Sequence, residues 1–217
     1  MATTGGHPET ETYRELMRRS FHDLYASEDD RWTDEPAMKR LVELVLEELA
    51  PDSRVLDVGA GRGRDTGALL AAGHRVTAAD LVELPEWAEI TARWGDRVRF
   101  VVGDVRGLRD EEAYDAVLDN GVLHHQLPGD QPAHLAALHA LLRPGGLLGI
   151  SLFVRGEQES EGKLHVLDDG RLSREFTEPE ARSMLAGAGF TIASARRVAR
   201  GRPGWAYLLV LARRSGD

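Results

Sequence analysis

Cysteine is absent from all 217 residues, so disulfides, thiolate metal sites and a cysteine nucleophile are excluded together. Lysine is almost absent too: Lys39 and Lys163 are the only two among 27 basic residues, and the rest are arginine. Long apolar runs are missing. The longest, such as Gly145–Val154, reach about ten residues, roughly half of what a membrane span requires. Met1–Thr10 lacks the basic, apolar, small-residue order of a signal peptide, so a cytoplasmic protein with no membrane partner is expected. Positive charge is in deficit, with 36 acidic against 27 basic side chains and a net charge of −9. That balance disfavours a nucleic-acid partner, which would be gripped through its phosphates. The local clusters Arg196, Arg197, Arg200, Arg202 and Glu28, Asp29, Asp30, Asp34, Glu35 are expected to be solvated faces.

What the chain does have is a hydrophobic fraction of 42%, enough for a real core in one large domain. Residues 1–12 are polar and expected to fray. Helical spacing then runs from Tyr13 to Tyr25 and from Pro36 to Leu49. Beyond Pro51 the pattern alternates. Apolar runs at Val55–Val58, Val76–Ala79, Val98–Val102, Tyr114–Leu118 and Leu147–Val154 predict five strands. Helices are expected over Thr66–Ala72, Pro85–Trp94 and Asp130–Leu142, the last capped by Asp130. Residues 155–176 form a polar excursion, and Thr177-Glu178-Pro179-Glu180 is a capping box opening a helix that ends near Gly187–Gly189. Phe190–Val198 and Trp205–Ala212 are joined so briefly that they should pair antiparallel. Repeated βα units predict an α/β three-layer sandwich, Rossmann-like, around a mainly parallel sheet.

The strongest motif is Val55-Leu56-Asp57-Val58-Gly59-Ala60-Gly61-Arg62-Gly63, at a strand-to-helix turn where glycines let backbone approach a ligand. A dinucleotide fingerprint would place Gly or Ala where Arg64 stands. Asp57 lies two residues before the first glycine, and a carboxylate there suits a cationic amino group and repels a pyrophosphate. S-adenosyl-L-methionine is therefore favoured over a dinucleotide. Asp80, Asp104 and Asp119 fall at the ends of the next three strands, making four acidic strand ends in series. Asp80 could accept from both ribose hydroxyls, Asp104 from an adenine amine, and Asp119 falls near the sulfonium.

Together with Leu142-Arg143-Pro144-Gly145-Gly146, this series resembles the class I S-adenosylmethionine-dependent methyltransferases over residues 50–215. The resemblance implies a seven-stranded sheet with an antiparallel last strand. It implies residues 1–50 as a flexible tail and N-terminal helical cap over the active site, and 51–217 as the cofactor-binding methyltransferase domain. It also implies that Asp57 with Gly59, Ala60, Gly61 and Gly63 holds the methionine part, Asp80 and Leu81 the ribose side, Asp104 and Val105 the adenine, and Asp119 with Asn120 the sulfonium end. Asp119–His125 and Gly170–Phe176 are similar, more narrowly, to small methyltransferases of the thiopurine and tellurite-resistance type.

The family's motifs for amino-methylating DNA enzymes, cytosine C5 enzymes, protein-arginine enzymes and metal-dependent catechol enzymes have no counterpart here, where Ser151-Leu152-Phe153-Val154 stands at the expected magnesium position. A small-molecule acceptor remains, taking methyl on S, O, N or C in secondary metabolism or detoxification, with no metal, in a monomer or homodimer. His124 and His125 are the candidate bases beside Asp119, with packing at the start of the next helix as the alternative. His134 and His139 are expected to be surface or packing residues. Tyr25 and Trp32 in the cap, Phe153 near the end of strand five, and Arg155 and His165 after it are candidate acceptor contacts. Cyclisation, elimination or pericyclic chemistry on the same cofactor, a dinucleotide-dependent oxidoreductase, and a non-catalytic S-adenosylmethionine-binding protein stay open as alternatives.

Overall fold

A computed structural model describes residues 8–109, 113–156, 159–200 and 205–216. Seven strands form one sheet in the order β3-β2-β1-β4-β5-β9-β8. They are β1 (Arg54–Val58), β2 (Arg75–Asp80), β3 (Val98–Val102), β4 (Tyr114–Asn120), β5 (Leu142–Val154), β8 (Phe190–Ala199) and β9 (Ala206–Arg214). The first five are mutually parallel, and β9 runs antiparallel to both neighbours. The sheet and its reversed last strand are as the sequence predicts. Strand β5 begins earlier than expected, because Leu142 already pairs with Tyr114 across an irregularity in register before the Pro-Gly-Gly turn.

Among the described residues, six α-helices accompany the sheet: α1 (Pro8–Ala26), α2 (Pro36–Glu48), α3 (Arg64–Ala71), α4 (Glu86–Trp94), α5 (Gln131–Leu141) and α6 (Glu178–Gly187). Two apolar layers hold them. Leu41, Val42 and Val45 of α2 and Leu69 and Leu70 of α3 pack with Val55, Ala116 and Leu118 on one face. Leu135, Leu138 and Leu141 of α5 and Ala181 and Leu185 of α6 pack with Leu56, Val58 and Val117 on the other. Side chains alternate between faces along a strand, which explains why Val55 and Leu56 belong to different layers.

Of the two N-terminal helices, α2 is a member of the sandwich, whereas α1 is the element that lies over the cleft. Helix α1 starts at Pro8, within the segment expected to fray. The predicted polar excursion contains a hairpin, β6 (Lys163–Val166) with β7 (Leu172–Glu175), outside the main sheet. Helix α6 opens with the predicted capping box, Thr177 Oγ1 accepting from Glu180 N and the Glu180 carboxylate from Thr177 N. Asp130 occupies the N-cap position of α5 without a capping bond from its side chain, which instead lies 3.3 Å from Arg106.

Candidate active site

The carboxyl ends of β1, β2, β3 and β4 open into one cavity of ≈ 750 Å³, roofed by α1 and by the β6–β7 hairpin. One half is built from Gly59, Asp80, Leu81, Gly103, Asp104 and Val105. Gly59 has φ +73°, and a Cβ there would stand 2.3 Å from Val122 Cγ2, so only glycine fits this turn. Asp80 Oδ2 accepts from Gly61 N at 2.9 Å and Oδ1 from Val82 N at 3.0 Å. Each oxygen keeps a lone pair for a hydroxyl donor. Burial raises the Asp80 pKa against those bonds. Asp104 accepts from Arg106 N and from its guanidinium, with Arg14 of α1 at 3.0 Å. Burial would raise its pKa, but these arginine bonds outweigh it and hold it below the usual carboxylate range.

Two expected cofactor residues, Asp57 and Asp119, stand behind the wall. Asp57 points away from the cleft, toward α3, and accepts from Thr66 Oγ1 at 2.6 Å. Its pKa is raised by burial and by Asp65 nearby. Asp57 lies one residue short of the end of β1, where α3 packs and Thr66 takes its carboxylate, whereas Val58 at the strand end reaches the cleft. Asp119 is fully buried; Oδ1 accepts from Val122 N (2.8 Å) and Leu123 N (3.3 Å), and Oδ2 lies 2.8 Å from His134 Nε2. His134, expected at the surface or in packing, is thus a buried partner of that carboxylate. Asn120 does line the cleft, its amide held by donating to Met38 O and Asp65 Oδ2 and accepting from Ser151 Oγ.

The other half of the cleft is aromatic and contains Phe21, Trp32, His124, His125, Phe153, Trp205 and Tyr207. Phe21 and Tyr25 both meet Trp32 edge-on, at 5.8 Å and 5.7 Å between centroids. His124 stacks on Phe153 at 3.6 Å, is buried, and has no hydrogen-bond partner on Nδ1 among the described residues. Burial holds its pKa well below the usual imidazole value. His125 Nδ1 lies 2.7 Å from Leu172 O, an acceptor only, so Nδ1 carries the hydrogen and Nε2 the lone pair. Burial lowers its pKa to about 4 despite that bond. Both imidazoles are therefore neutral near pH 7.

Tyr13 stitches the roof together. Its hydroxyl donates to His125 O and accepts from Leu172 N, each at 2.8 Å. His165 of β6 reaches the cleft, as expected of the excursion. Arg155 does not: it pairs with Glu159 at 2.9 Å beside a separate surface groove. A cation from the predicted solvated cluster takes that place. Arg200 lines the cleft one residue beyond β8, while Arg202 lies outside the described residues.

Comparison with known proteins bears on this geometry. A methyltransferase-domain family model matches residues 55–146. The structure of 1,6-didemethyltoxoflavin-N1-methyltransferase from Burkholderia thailandensis, with 1,6-didemethyltoxoflavin and S-adenosylhomocysteine bound, is 44% identical. It superposes with a TM-score of 0.90 over 100% of this chain and 94% of that one. The chain belongs to the S-adenosylmethionine-dependent methyltransferases. Its cofactor is S-adenosyl-L-methionine, with S-adenosylhomocysteine as product. Among curated methyltransferases, the ubiquinone biosynthesis O-methyltransferase of Xanthomonas axonopodis pv. citri (strain 306) is 34% identical over 146 residues, 61% of this chain. The chain spans about 60% of the length of that relative. A [4+2]-cyclase, SpnF, at 20% identity and TM-score 0.70 over 82% of this chain and 81% of its own, shares the fold alone.

Proposed function

We infer that this methyltransferase moves a methyl group to a ring nitrogen of a small planar heterocycle. The observation that carries the reading is the division of one cleft into a carboxylate-and-glycine half and an aromatic half. The full-length similarity to an N1-methyltransferase of a fused heterocycle supports it. The first half fits the cofactor: Asp80 has an acceptor position on each oxygen, and the Gly59 turn leaves no room for a Cβ. Asp80 with Leu81 would hold the ribose side and Asp104 with Val105 the adenine, while Gly59, Ala60, Gly61 and Gly63 would supply the backbone at the methionine part. The bound cofactor supplies an electrophilic methyl on a sulfonium.

The chain's own residues then bind, orient and exclude water. Asp57, Asp119 and Asn120 act as supports, holding α3, the His124–His125 turn and β5 in place. Phe153, Trp32 and Tyr25 shape a slot for a flat ring. His125 Nε2, kept neutral, offers a lone pair that orients a ring N–H; with its pKa near 4 it is a weak base. The roof over the cleft is the contribution of the first fifty residues through α1. The net charge of −9 supports a small-molecule acceptor rather than nucleic acid, in the cytoplasm and in secondary metabolism or detoxification. The expected assembly is a monomer or a homodimer.

Calorimetric titration with S-adenosylhomocysteine and NADH, followed by incubation with S-adenosylmethionine and 1,6-didemethyltoxoflavin, tests the reading. We expect micromolar binding of S-adenosylhomocysteine, none of NADH, and an N-methylated product by mass spectrometry. Cofactor binding with no product from this or any related heterocycle would remove the nitrogen acceptor.

A further inference from the structure

Four arginines line the cleft, and three are spoken for by carboxylates. Arg14 and Arg106 pair with Asp104, and Arg171 pairs with Asp169 at 2.7 Å. Arg200 differs. Among the described residues it has no carboxylate within ion-pair distance; its side chain bonds to Tyr207, and its Nη1 is buried without a hydrogen bond. Its guanidinium lies 3.9 Å from the centre of the Phe153 ring, 4.9 Å from Tyr207 and 5.1 Å from Trp205. Three rings fix it against the acceptor half of the cleft, on the β8–β9 connection where Arg200 N donates to Trp205 O. Such rings desolvate a cation, and beyond the bond to Tyr207 they leave its Nη1 unsatisfied. A buried N–H left unpaired is costly, and a planar guanidinium is best answered by an oxygen in its own plane.

We propose that Arg200 is the acceptor-binding cation of this cleft, and that the acceptor is a planar heterocycle presenting a carbonyl oxygen, or its enolate form, to the guanidinium. Phe153 carries both Arg200 and His124 on its ring, so the same side chain that places the cation also lines the slot for the acceptor. In such a heterocycle the ring N–H is acidic because its negative charge delocalises onto the neighbouring oxygen. When the proton leaves to solvent, that charge meets Arg200, and the ring nitrogen keeps the electron pair. The cation thus favours the deprotonated acceptor without a strong side-chain base, in keeping with two neutral histidines beside it.

The assignment rests on the methyltransferase reading, so its test separates the two. Lumazine, a bicyclic dione with an acidic ring N–H, and quinoxaline, a bicyclic diazine with neither oxygen nor N–H, are titrated into the full chain with and without S-adenosylhomocysteine. We expect lumazine to bind, quinoxaline to bind about tenfold or more weakly, and Arg200→Gln to weaken lumazine by about tenfold or more. Bound lumazine should show the absorption of its anion at a pH below its own pKa. Arg200→Gln should keep S-adenosylhomocysteine affinity within about twofold, which also shows that the variant folds. Arg200→Lys should fall between, since it keeps charge and loses the fork. Arg155→Gln, outside the cleft, should match wild type. Equal binding of lumazine by wild type and Arg200→Gln, or equal binding of lumazine and quinoxaline, overturns the assignment. So does a chain that binds S-adenosylhomocysteine but not lumazine. Failure to bind S-adenosylhomocysteine strikes the methyltransferase reading instead, and Arg200-dependent lumazine binding would survive it.

Discussion

Asp119 and Asn120 are neighbours on β4, yet one reaches toward α5 and the other toward α2 and α3. A strand sends consecutive side chains to opposite faces, but the cleft sits at the strand ends and draws on both, Val58 and Asp80 reaching it from opposite faces of the sheet. The sequence places all four strand-end acids at the right edge of the sheet, but does not say which are taken by internal partners; Asp80 and Asp104 line the cleft, while Asp57 and Asp119 are held by Thr66 and His134. Asp80→Ala should therefore weaken S-adenosylhomocysteine about tenfold or more in calorimetry, by removing charge-assisted bonds to hydroxyls. His134 was hidden from sequence reasoning because its partner, Asp119, is fifteen residues away and on another element. His125 carries a pH signature. Its folded pKa of about 4 lies below the unfolded value near 6.5, so between them the unfolded chain binds the extra proton. Stability is then full above about pH 6.5 and falls as pH drops toward 4, by roughly 3 kcal/mol at most from this group. Thermal melts of His125→Asn should lose less between pH 6.5 and 4.5 than wild type. Parallel slopes would remove His125 as a source of acid sensitivity.

The roof depends on a single hydroxyl shared by three elements: Tyr13 of α1, the turn at His125, and Leu172 of β7. Helix α1 is tied further by Ser20, which donates to Asp169 Oδ2 at 2.7 Å, and by Arg62, which donates to Tyr25 O at 2.8 Å and to Asp30. Beside these bonds α1 packs Phe21 and Tyr25 into a small apolar cluster with Val82, Leu84 and Trp87, apart from the two layers on the sheet, so the roof should open more readily than the sheet. Tyr13→Phe deletes two bonds while keeping the ring. We expect faster amide exchange in α1 and in residues 163–175, with protection in β1 and β4 unchanged and a loss of about 1–3 kcal/mol in overall stability. Uniform loss of protection would show that roof and sheet unfold together. Periodicity revealed α1 and the alternating βα units because each depends on its own residues. The β6–β7 hairpin escaped it, being two four-residue strands whose exposed Leu164 and Val166 carry no buried face to betray them.

For the molecule as a whole, cofactor and fold are thermodynamically linked, because a ligand that binds only the folded chain raises its stability by mass action. S-adenosylhomocysteine at a hundredfold over its dissociation constant should add about 2.7 kcal/mol and raise the melting midpoint by roughly 5–10 °C, with NADH giving no shift. Long-range assembly is also where Arg200 becomes a cleft residue. In the sequence it belongs to a run of arginines; in the fold its place just beyond β8 sets it against Phe153 of β5. Strand β9 is almost wholly buried and lies between β5 and β8, so β8 has no place on the sheet before β9 arrives. A ribosome delivers β1 to β5 first and β9 long after. Throughout that interval the growing chain exposes the unpaired edge of β5, where Phe153 waits opposite the place of Tyr207. A nascent chain stalled before β9 is thus a five-stranded sheet with an open edge. It has the glycine turn and the cofactor carboxylates in place but no finished slot for an acceptor, and is sticky until its final strand slides into the gap.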